Sequence, residues 1–398
     1  MKITAVRLRK VRGTMATNGP FWEQRLVQPV DIYPEYRARH SPSGGVQLTP
    51  DTFRIETCFV QIETDEGVSG IGGPLPDAVA AIIAGALRPI LLGMDPIAHE
   101  KAWDQMHRIM VHGRQGDAML AISAVDCALW DLKGRWLGQP VHRLLGGPTR
   151  DDIPAYASML GFEVLDPGRV RARAQEYQAM GYRAQKWFFR HGPASGPEGM
   201  RKNVEMVRTL RDALGPDDAI MLDCWQSFDV PYVIELASRI AEFRPAWLEE
   251  CVMPDRIDSY VRIKEKISIP LSGAEHEYTR WGFRRFVDAH ALDILQPDIY
   301  WCGGLSETLK IAALATAHDL IVIPHGHSSN AGIAFSVAQS PIHTPWQEYL
   351  VKWNAIHQHF LATPAQVVNG TIAPIDRPGL GMELDATKIE AETELFAP

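Results

Sequence analysis

The chain of 398 residues lacks paired cysteines, long apolar runs and an excess of positive charge. Its five cysteines include no Cys-x-x-Cys pair, so we expect free thiols in a reducing compartment. No uncharged apolar run reaches the ~18 residues of a membrane span, and no apolar run typical of a signal peptide follows the first residues. These absences predict a cytoplasmic protein without a membrane partner.

Positive charge is also scarce, since the formal net charge is −8. A nucleic-acid-binding protein needs a basic surface, so this class is not expected. An anionic substrate is still compatible with this negative net charge, because a bound divalent cation can reverse the sign of the local electric field. The apolar content of 46% and charged content of 22% are typical of a globular protein, and the length predicts two domains.

A regular repeat of short apolar runs and longer helix-like segments extends from residue 153 to residue 349. Eight predicted strands centre on Tyr156, Gln185, Met221, Trp247, Leu271, Leu295, Val322 and Gln347. Polar residues recur at strand ends at intervals of 23–27 residues, namely Asp223, Glu249, Glu275, Asp298, His325 and Glu348. A strand, a helix and two short loops make a unit of this length, so the pattern predicts a parallel (β/α) barrel with a catalytic face.

The rest of the chain predicts a first domain at residues 1–147, the barrel at 148–360, and a tail at 361–398 that returns to the first domain. Residues 1–14 and 54–64 are predicted strands. The irregular segment of about 15–52 between them is rich in aromatic and charged residues. We interpret it as a lid over a pocket, with a surface or subunit-contact loop as the alternative.

Several of these motifs together resemble the enolase superfamily, in its mandelate racemase-like subgroup. They are Ser123-Ala124-Val125-Asp126-Cys127-Ala128-Leu129-Trp130-Asp131, Leu144-Leu145-Gly146-Gly147, Gly273-Ala274-Glu275-His276, Gln296-Pro297-Asp298 and Pro324-His325-Gly326. Within that subgroup, the L-rhamnonate dehydratases are similar at Met221-Leu222-Asp223-Cys224-Trp225, Glu249-Glu250-Cys251 and Trp301-Cys302-Gly303-Gly304-Leu305. The resemblance implies an α/β protein with a (β/α)₇β modified TIM barrel, an N-terminal α+β capping domain, bound Mg²⁺ and dehydration of an acid sugar.

Three strand-end carboxylates, Asp223, Glu249 and Glu275, are the predicted metal ligands. Ends of neighbouring parallel strands meet at one face, so spacing alone brings these side chains together. Mg²⁺ prefers hard oxygen ligands, and a Lewis acid is needed to neutralise the enediolate that forms when an α-proton leaves. The resemblance assigns the same three residues and implies that Glu250 faces away. Ordinary salt bridges are the alternative.

His325 and Asp298 end neighbouring strands and form the predicted catalytic dyad. A hydrogen bond from the imidazole N–H to the Asp298 carboxylate would orient the ring and raise its basicity. We expect His325 to remove the α-proton and then protonate the departing β-hydroxyl, which gives syn elimination to a 2-keto-3-deoxy acid. A buried core histidine is the alternative.

Six residues are predicted to bind substrate: Lys186, His276, Glu348, Arg39, Trp225 and Trp301. The first three lie at or beside strand ends. The family's usual Lys-x-Lys is broken here by Phe188, which argues against a racemase. Tryptophans at this spacing pack in cores as often as they line pockets, and the same alternative applies to His327.

The contact with the distal end of the sugar is left open by the sequence. Arg39 corresponds to a substrate-binding arginine in the resemblance, with Arg37 or Arg54 as alternatives, and no histidine precedes His40 in the lid. The expected substrate is L-rhamnonate or a close relative, such as L-lyxonate or L-mannonate. A racemase or epimerase, a dehydratase for another acid sugar and a non-catalytic sugar-acid-binding protein are the competing hypotheses. The resemblance also implies a homo-oligomer, either a dimer or an octamer.

Overall fold

The computed structural model describes residues 1–38 and 45–397, without the side chains of Ser328 and Ser329. The N-terminal part is an antiparallel sheet covered by helices. Its strands are β1 (Ile3–Ala16), β2 (Gly45–Thr49), β3 (Thr52–Thr64) and β4 (Ser69–Leu75). Its helices are α1 (Asp77–Ile82), α2 (Arg88–Leu91), α3 (His99–Ile109), α4 (Asp117–Leu137) and α5 (Val141–Leu144).

The lid segment contains more regular structure than the sequence predicts. Short 3₁₀ turns form at Pro29–Ile32 and Pro34–Tyr36, and β2 pairs with β3 in an antiparallel hairpin. Most of β2 is exposed, and its apolar alternation is limited to Val46 and Leu48, which is too short a pattern to predict a strand. Pairing with the long neighbouring strand stabilises it instead.

The second part is a barrel of eight parallel strands with seven helices between them. The strands are β5 (Ile153–Ser158), β6 (Ala184–Phe188), β7 (Ala219–Asp223), β8 (Trp247–Glu249), β9 (Leu271–Gly273), β10 (Ile294–Leu295), β11 (Ile321–Val322) and β12 (Gln347–Leu350). The helices are α6 (Pro167–Ala179), α7 (Gly196–Leu214), α8 (Val230–Ile240), α9 (Ile257–Lys264), α10 (Thr279–Asp288), α11 (Gly304–Thr316) and α12 (Ser329–Ser336). A further helix, α13 (Val351–His357), follows β12.

Each of the eight predicted strands is present, and β12 pairs with β5, so the last strand returns to the first. A separate apolar cluster fills the interior, with one side chain from each of five strands and Ile323, which directly follows β11: Tyr156, Ala184, Met221, Trp247, Ile294 and Ile323. Successive side chains on a strand alternate between faces, so the residues two positions after Ala184, Met221 and Trp247 also face inward. Those residues are Lys186, Asp223 and Glu249, and the alternation therefore delivers them to one end of the interior.

The C-terminal tail contacts both parts of the chain. Strands β13 (Val367–Val368) and β14 (Thr371–Ile372) form a hairpin beside β5, and β15 (Ala391–Glu394) pairs antiparallel with β1. Arg9 Nε donates to Glu392 Oε1 over 2.6 Å across the β1–β15 pair. The tail thus joins the sheet of the N-terminal part through β15. None of the described helices combines the length and apolar character needed to cross a membrane.

The motif on α4 connects the N-terminal part to the barrel. Ser123 Oγ accepts from the backbone N–H of Gly303 at 2.9 Å, and Asp126 Oδ2 accepts from that of Ser306 at 2.9 Å. Trp130 Nε1 donates to Ser306 Oγ over 2.9 Å. A Cβ on Gly304 would lie 2.4 Å from Asp126, so only glycine allows this approach. The motif fixes the loop that leads from Asp298 into α11.

A buried histidine in this region makes stability depend on pH. His99 stacks on Trp130 with ring centroids 4.9 Å apart, and burial lowers its pKa from 6.5 to about 4. Between those values the unfolded chain binds a proton that the folded protein does not, so stability falls as pH falls from about 6.5. We expect a loss of about 2 kcal/mol between pH 7 and pH 4.5, measured by urea unfolding. His99→Gln should remove this component, and an unchanged slope in the variant would contradict the assignment.

Candidate active site

A cavity of about 360 Å³ lies at the carboxyl ends of the barrel strands. Seven of the residues predicted from the sequence line it: Lys186, Asp223, Trp225, Glu275, His276, Trp301 and His325. The predicted residues Glu249, Asp298 and Glu348 are almost fully buried and are bonded to these lining residues. The barrel therefore gathers strand-end groups from far apart in the sequence into one site.

The dyad of His325 and Asp298 forms as the sequence predicts. His325 Nδ1 lies 2.7 Å from Asp298 Oδ2, which fixes the ring and leaves Nε2 as the free nitrogen, 3.5 Å from Glu275 Oε2. Burial by itself would lower the pKa of His325, but the carboxylates of Glu275, Asp298 and Glu348 together raise it to about 10. The imidazole is therefore held in a strongly negative environment, with Nε2 on the cavity side.

Lys186 lies among three carboxylates on the opposite side of the cavity. Its Nζ contacts Glu249 Oε1, lies 2.8 Å from Glu348 Oε1 and 3.9 Å from Asp223 Oδ2. Although burial acts to lower it, these carboxylates hold the pKa of Lys186 well above its usual value. The amine remains protonated and cannot act as a base, so its chemistry is that of a fixed positive charge.

Glu249 is also bonded through its second oxygen. Oε2 accepts from Trp247 Nε1 at 3.0 Å and from Gln296 Nε2 at 2.8 Å, and the side chain is fully buried. These bonds orient the carboxylate within the barrel interior, beside Asp223 in the register of β7 and β8.

The expectation that Glu250 faces away from the site is wrong. Its Oε2 lies 2.9 Å from His276 Nδ1, and Gln226 Nε2 donates to the same oxygen over 3.2 Å. Glu250 has a positive φ of 44°, which breaks the alternation at the end of β8 and turns two successive carboxylates toward the same face. Ligand atoms of Glu250, Glu275 and His276 lie within 4.8 Å of one another.

Six buried carboxyl groups surround this cavity: Asp223, Glu249, Glu250, Glu275, Asp298 and Glu348. Burial raises the pKa of Asp223 well above its usual value, against the opposing effect of Lys186, and neighbouring carboxylates raise it further. Burial likewise raises the pKa of Glu275 to about 7. The positive charges of Lys186 and the histidines therefore do not neutralise the negative charge of these carboxyl groups. A dication with a preference for oxygen ligands fits this donor set.

Of the arginines proposed from the sequence for the distal sugar contact, Arg37 and Arg54 do not line the cavity. Arg39 lies outside the described residues. Arg37 Nε donates to the backbone carbonyl of Asp31 over 2.8 Å, and Arg54 is exposed on β3. Leu26 and Gln28 line the cavity instead. They are anchored by Arg25, whose guanidinium donates to Asp31 Oδ1 over 2.7 Å.

An apolar wall of the cavity was missed at the sequence level. It consists of Leu26, Leu160, Leu350 and Trp353, and we call it the leucine wall. Each of these residues is hydrophobic and lies close to a predicted strand or in the lid. The hydrophobic pattern therefore predicts core residues at these positions, and it does not indicate a cavity wall. Only the convergence of the lid, the β5 end and the β12 end places them together.

Family models match both parts of the chain. Residues 38–146 match the model described as mandelate racemase / muconate lactonizing enzyme, N-terminal domain, and residues 169–388 match enolase C-terminal domain-like. The chain belongs to the enolase superfamily. Its fold is therefore the modified TIM barrel with an N-terminal capping domain that the motifs predicted.

Named relatives lie within the same superfamily. An L-rhamnonate dehydratase of Saccharopolyspora erythraea is 33% identical over 413 residues, which covers 99% of both chains. A rhamnonate dehydratase of Gibberella zeae, solved in complex with Mg, is 30% identical with a TM-score of 0.81, covering 97% of this chain and 95% of that one. A 3,6-anhydro-D-galactonate cycloisomerase of Zobellia galactanivorans is 30% identical with a TM-score of 0.79 and 98% coverage of both. The proteins similar to this chain thus include dehydratases and a cycloisomerase.

Proposed function

We propose that this protein is a Mg²⁺-dependent sugar acid dehydratase that converts L-rhamnonate, or a close stereochemical relative, into its 2-keto-3-deoxy acid. The observation that carries the proposal is an imidazole with Nδ1 bound to Asp298 at 2.7 Å and Nε2 directed to a cavity of buried carboxylates. The full-length similarity to an L-rhamnonate dehydratase supports the same reaction. The protein is a hydro-lyase, and Mg²⁺ is its metal ion.

We assign Mg²⁺ to Asp223, Glu249 and Glu275. All three are buried, and Asp223 and Glu249 are paired in the register of adjacent strands. Bound there, Mg²⁺ stabilises the negative charge that develops on the carboxylate end of the substrate. Glu250 is the competing ligand, because it lies in the group with Glu275 and His276.

The chain's own residues provide the proton transfers. Lys186, which lies 2.8 Å from Glu348, is the fixed positive charge for the carboxylate end of the substrate. Although burial acts to lower it, the pKa of His325 is raised to about 10 by the surrounding carboxylates, Glu275 first. A dication held by Asp223, Glu249 and Glu275 would offset that negative charge and leave Nε2 unprotonated. His325 then removes the α-proton through Nε2, and the C–H electron pair passes into the substrate's enediolate. As the β-C–O bond breaks, the same Nε2 returns that proton to the leaving hydroxyl, which departs as water. The enol product then tautomerises to the 2-keto acid.

The leucine wall supports a deoxy sugar acid. L-Rhamnonate ends in a methyl group, whereas L-mannonate carries a hydroxyl at the same carbon. Leu26 and Leu350 are at least nine-tenths buried and offer no hydrogen-bonding side chain to a terminal hydroxyl. Burying a hydroxyl without a partner costs on the order of 1–3 kcal/mol, so a methyl group is preferred there.

The proposal is tested by incubating the wild-type protein with a set of aldonic acids, with Mg²⁺ and with EDTA, and detecting 2-keto product and loss of water by mass spectrometry. We expect product from L-rhamnonate with Mg²⁺, a kcat/KM about tenfold or more below this for L-mannonate, and no product in EDTA. Exchange of the α-proton in D₂O without loss of water would indicate a racemase instead. No exchange and no product from any acid would overturn the proposal.

A further inference from the structure

A second chamber of about 300 Å³ adjoins the cavity, between the N-terminal part and the barrel. Its walls are largely apolar and include Pro74, Leu75 and Leu120. Three side chains line both chambers, namely His276, Trp301 and His327. His276 Nδ1 is already bonded to Glu250 Oε2 at 2.9 Å. His327 also lines both chambers, and it has no role in the proton transfers of the proposed reaction.

His327 is held by rings on three sides. Its ring centroid lies 4.0 Å from that of His357, 5.1 Å from that of Trp301 and 6.4 Å from that of His325, to which it is nearly parallel at 13°. Its Nδ1 is buried, lies 4.0 Å from Asp298 Oδ2 and has no hydrogen-bond partner among the described residues. About 20% of the side chain is exposed. Because Nδ1 is buried, Nε2 is the ring nitrogen that a ligand can reach.

The surroundings of His327 suit a neutral ligand rather than an anion. Burial lowers its pKa well below the usual value, and His357 and His325 lower it further, despite Asp298 at 4.0 Å. A neutral imidazole offers one donor and one acceptor, which matches an alcohol group. The anionic end of a substrate is accommodated elsewhere, by Lys186 across the cavity.

We propose that His327 binds a hydroxyl group of the substrate beyond the reacting carbons and selects sugar acids by configuration at that carbon. The inference rests on the proposed function. A chain anchored by its carboxylate at Lys186 passes His325 first and then follows the face of Trp301, whose ring centroid lies 5.0 Å from that of His325 and 5.1 Å from that of His327. Trp301 also contacts His276, whose Nδ1 is already bonded to Glu250, so His327 is the imidazole on that face left to bind the substrate.

The test compares His327→Leu with His327→Gln, whose amide can replace a neutral imidazole in hydrogen bonding. For L-rhamnonate we expect the Leu variant to raise KM about tenfold, with kcat within about threefold of wild type, since one hydrogen bond to substrate is lost. The Gln variant should recover most of the affinity. Discrimination between L-rhamnonate and an epimer at a remote carbon should also fall about tenfold in the Leu variant alone.

His99→Gln serves as the control, because it replaces another buried histidine that does not line either chamber. It should leave KM and the epimer ratio as in wild type. A Leu variant with wild-type KM, a Gln variant as poor as Leu, or a loss confined to kcat would overturn the role of His327. If the Leu variant does not fold, the Gln variant is tested by its ratio of kcat/KM for L-rhamnonate and the epimer. A ratio near wild type supports the role of His327, and loss of the discrimination would overturn that role. Absence of turnover in the wild type would overturn the proposed function instead.

Discussion

His325→Asn should lower kcat for dehydration by about 10³-fold, within the range that general acid–base catalysis contributes. Asparagine can keep a hydrogen bond to Asp298 but has no nitrogen that can accept a proton at neutral pH. The reaction uses the same nitrogen twice, for α-proton removal and for protonation of the leaving hydroxyl, so both should be lost together. The measurement is the rate of 2-keto acid formation, run beside α-proton exchange in D₂O.

Asp298→Asn provides the matched comparison, because it changes the 2.7 Å contact that orients the ring without removing the base. We expect a smaller loss, of about 10²-fold, since the histidine remains but its tautomer is no longer fixed. The KM of both variants should stay near that of wild type, because neither group holds the carboxylate end of the substrate. Retention of α-proton exchange in His325→Asn would show that another residue is the base.

Chelation followed by paired substitutions should locate Mg²⁺. We expect EDTA to abolish turnover, added Mg²⁺ to restore it, and Glu249→Gln to weaken Mg²⁺ binding by about 100-fold, because a charged ligand is removed from a buried site. Glu250→Gln should weaken binding by only about tenfold, through its contact with His276. Both substitutions preserve side-chain size, and both residues are at least 99% buried, so the two variants are matched in the size of the change and in burial.

Isothermal titration of the metal-free variants with Mg²⁺ gives these affinities without reference to activity. The reverse order, with Glu250→Gln the weaker binder, would place the ion on the group formed by Glu250, Glu275 and His276. Lys186→Met would complete the comparison, since removing the ammonium that contacts Glu249 should strengthen Mg²⁺ binding there. No change in either glutamine variant would contradict a metal site in this cavity.

Much of the architecture could be predicted because it follows from local periodicity. The eight strands, with Lys186 inside β6, Asp223 at the end of β7 and His325 shortly after β11, follow from apolar runs and the alternation of strand faces. The α4 motif also has a local explanation, since its polar side chains bind backbone amides of the loop before α11. Such features depend on a few neighbouring residues and a repeated unit.

Other parts of the site depend on backbone geometry and on contacts between distant segments. The positive φ of Glu250 turns it toward His276, and no residue pattern signals that change of direction. The leucine wall and the ring contacts of His327 with His357 and Trp301 join segments that are far apart in the chain.

The sequence by itself determined the barrel, its strand-end acids and the His325–Asp298 pair. The reason is that a repeated strand–helix unit brings the ends of neighbouring parallel strands together at one face. Tertiary structure alone decided which glutamate contacts His276, that Leu26 and Gln28 line the cavity, and that His327 Nδ1 has no hydrogen-bond partner among the described residues. The physical reason is that orientation and solvent exclusion arise only when separate segments pack together, and a linear pattern carries no information on either.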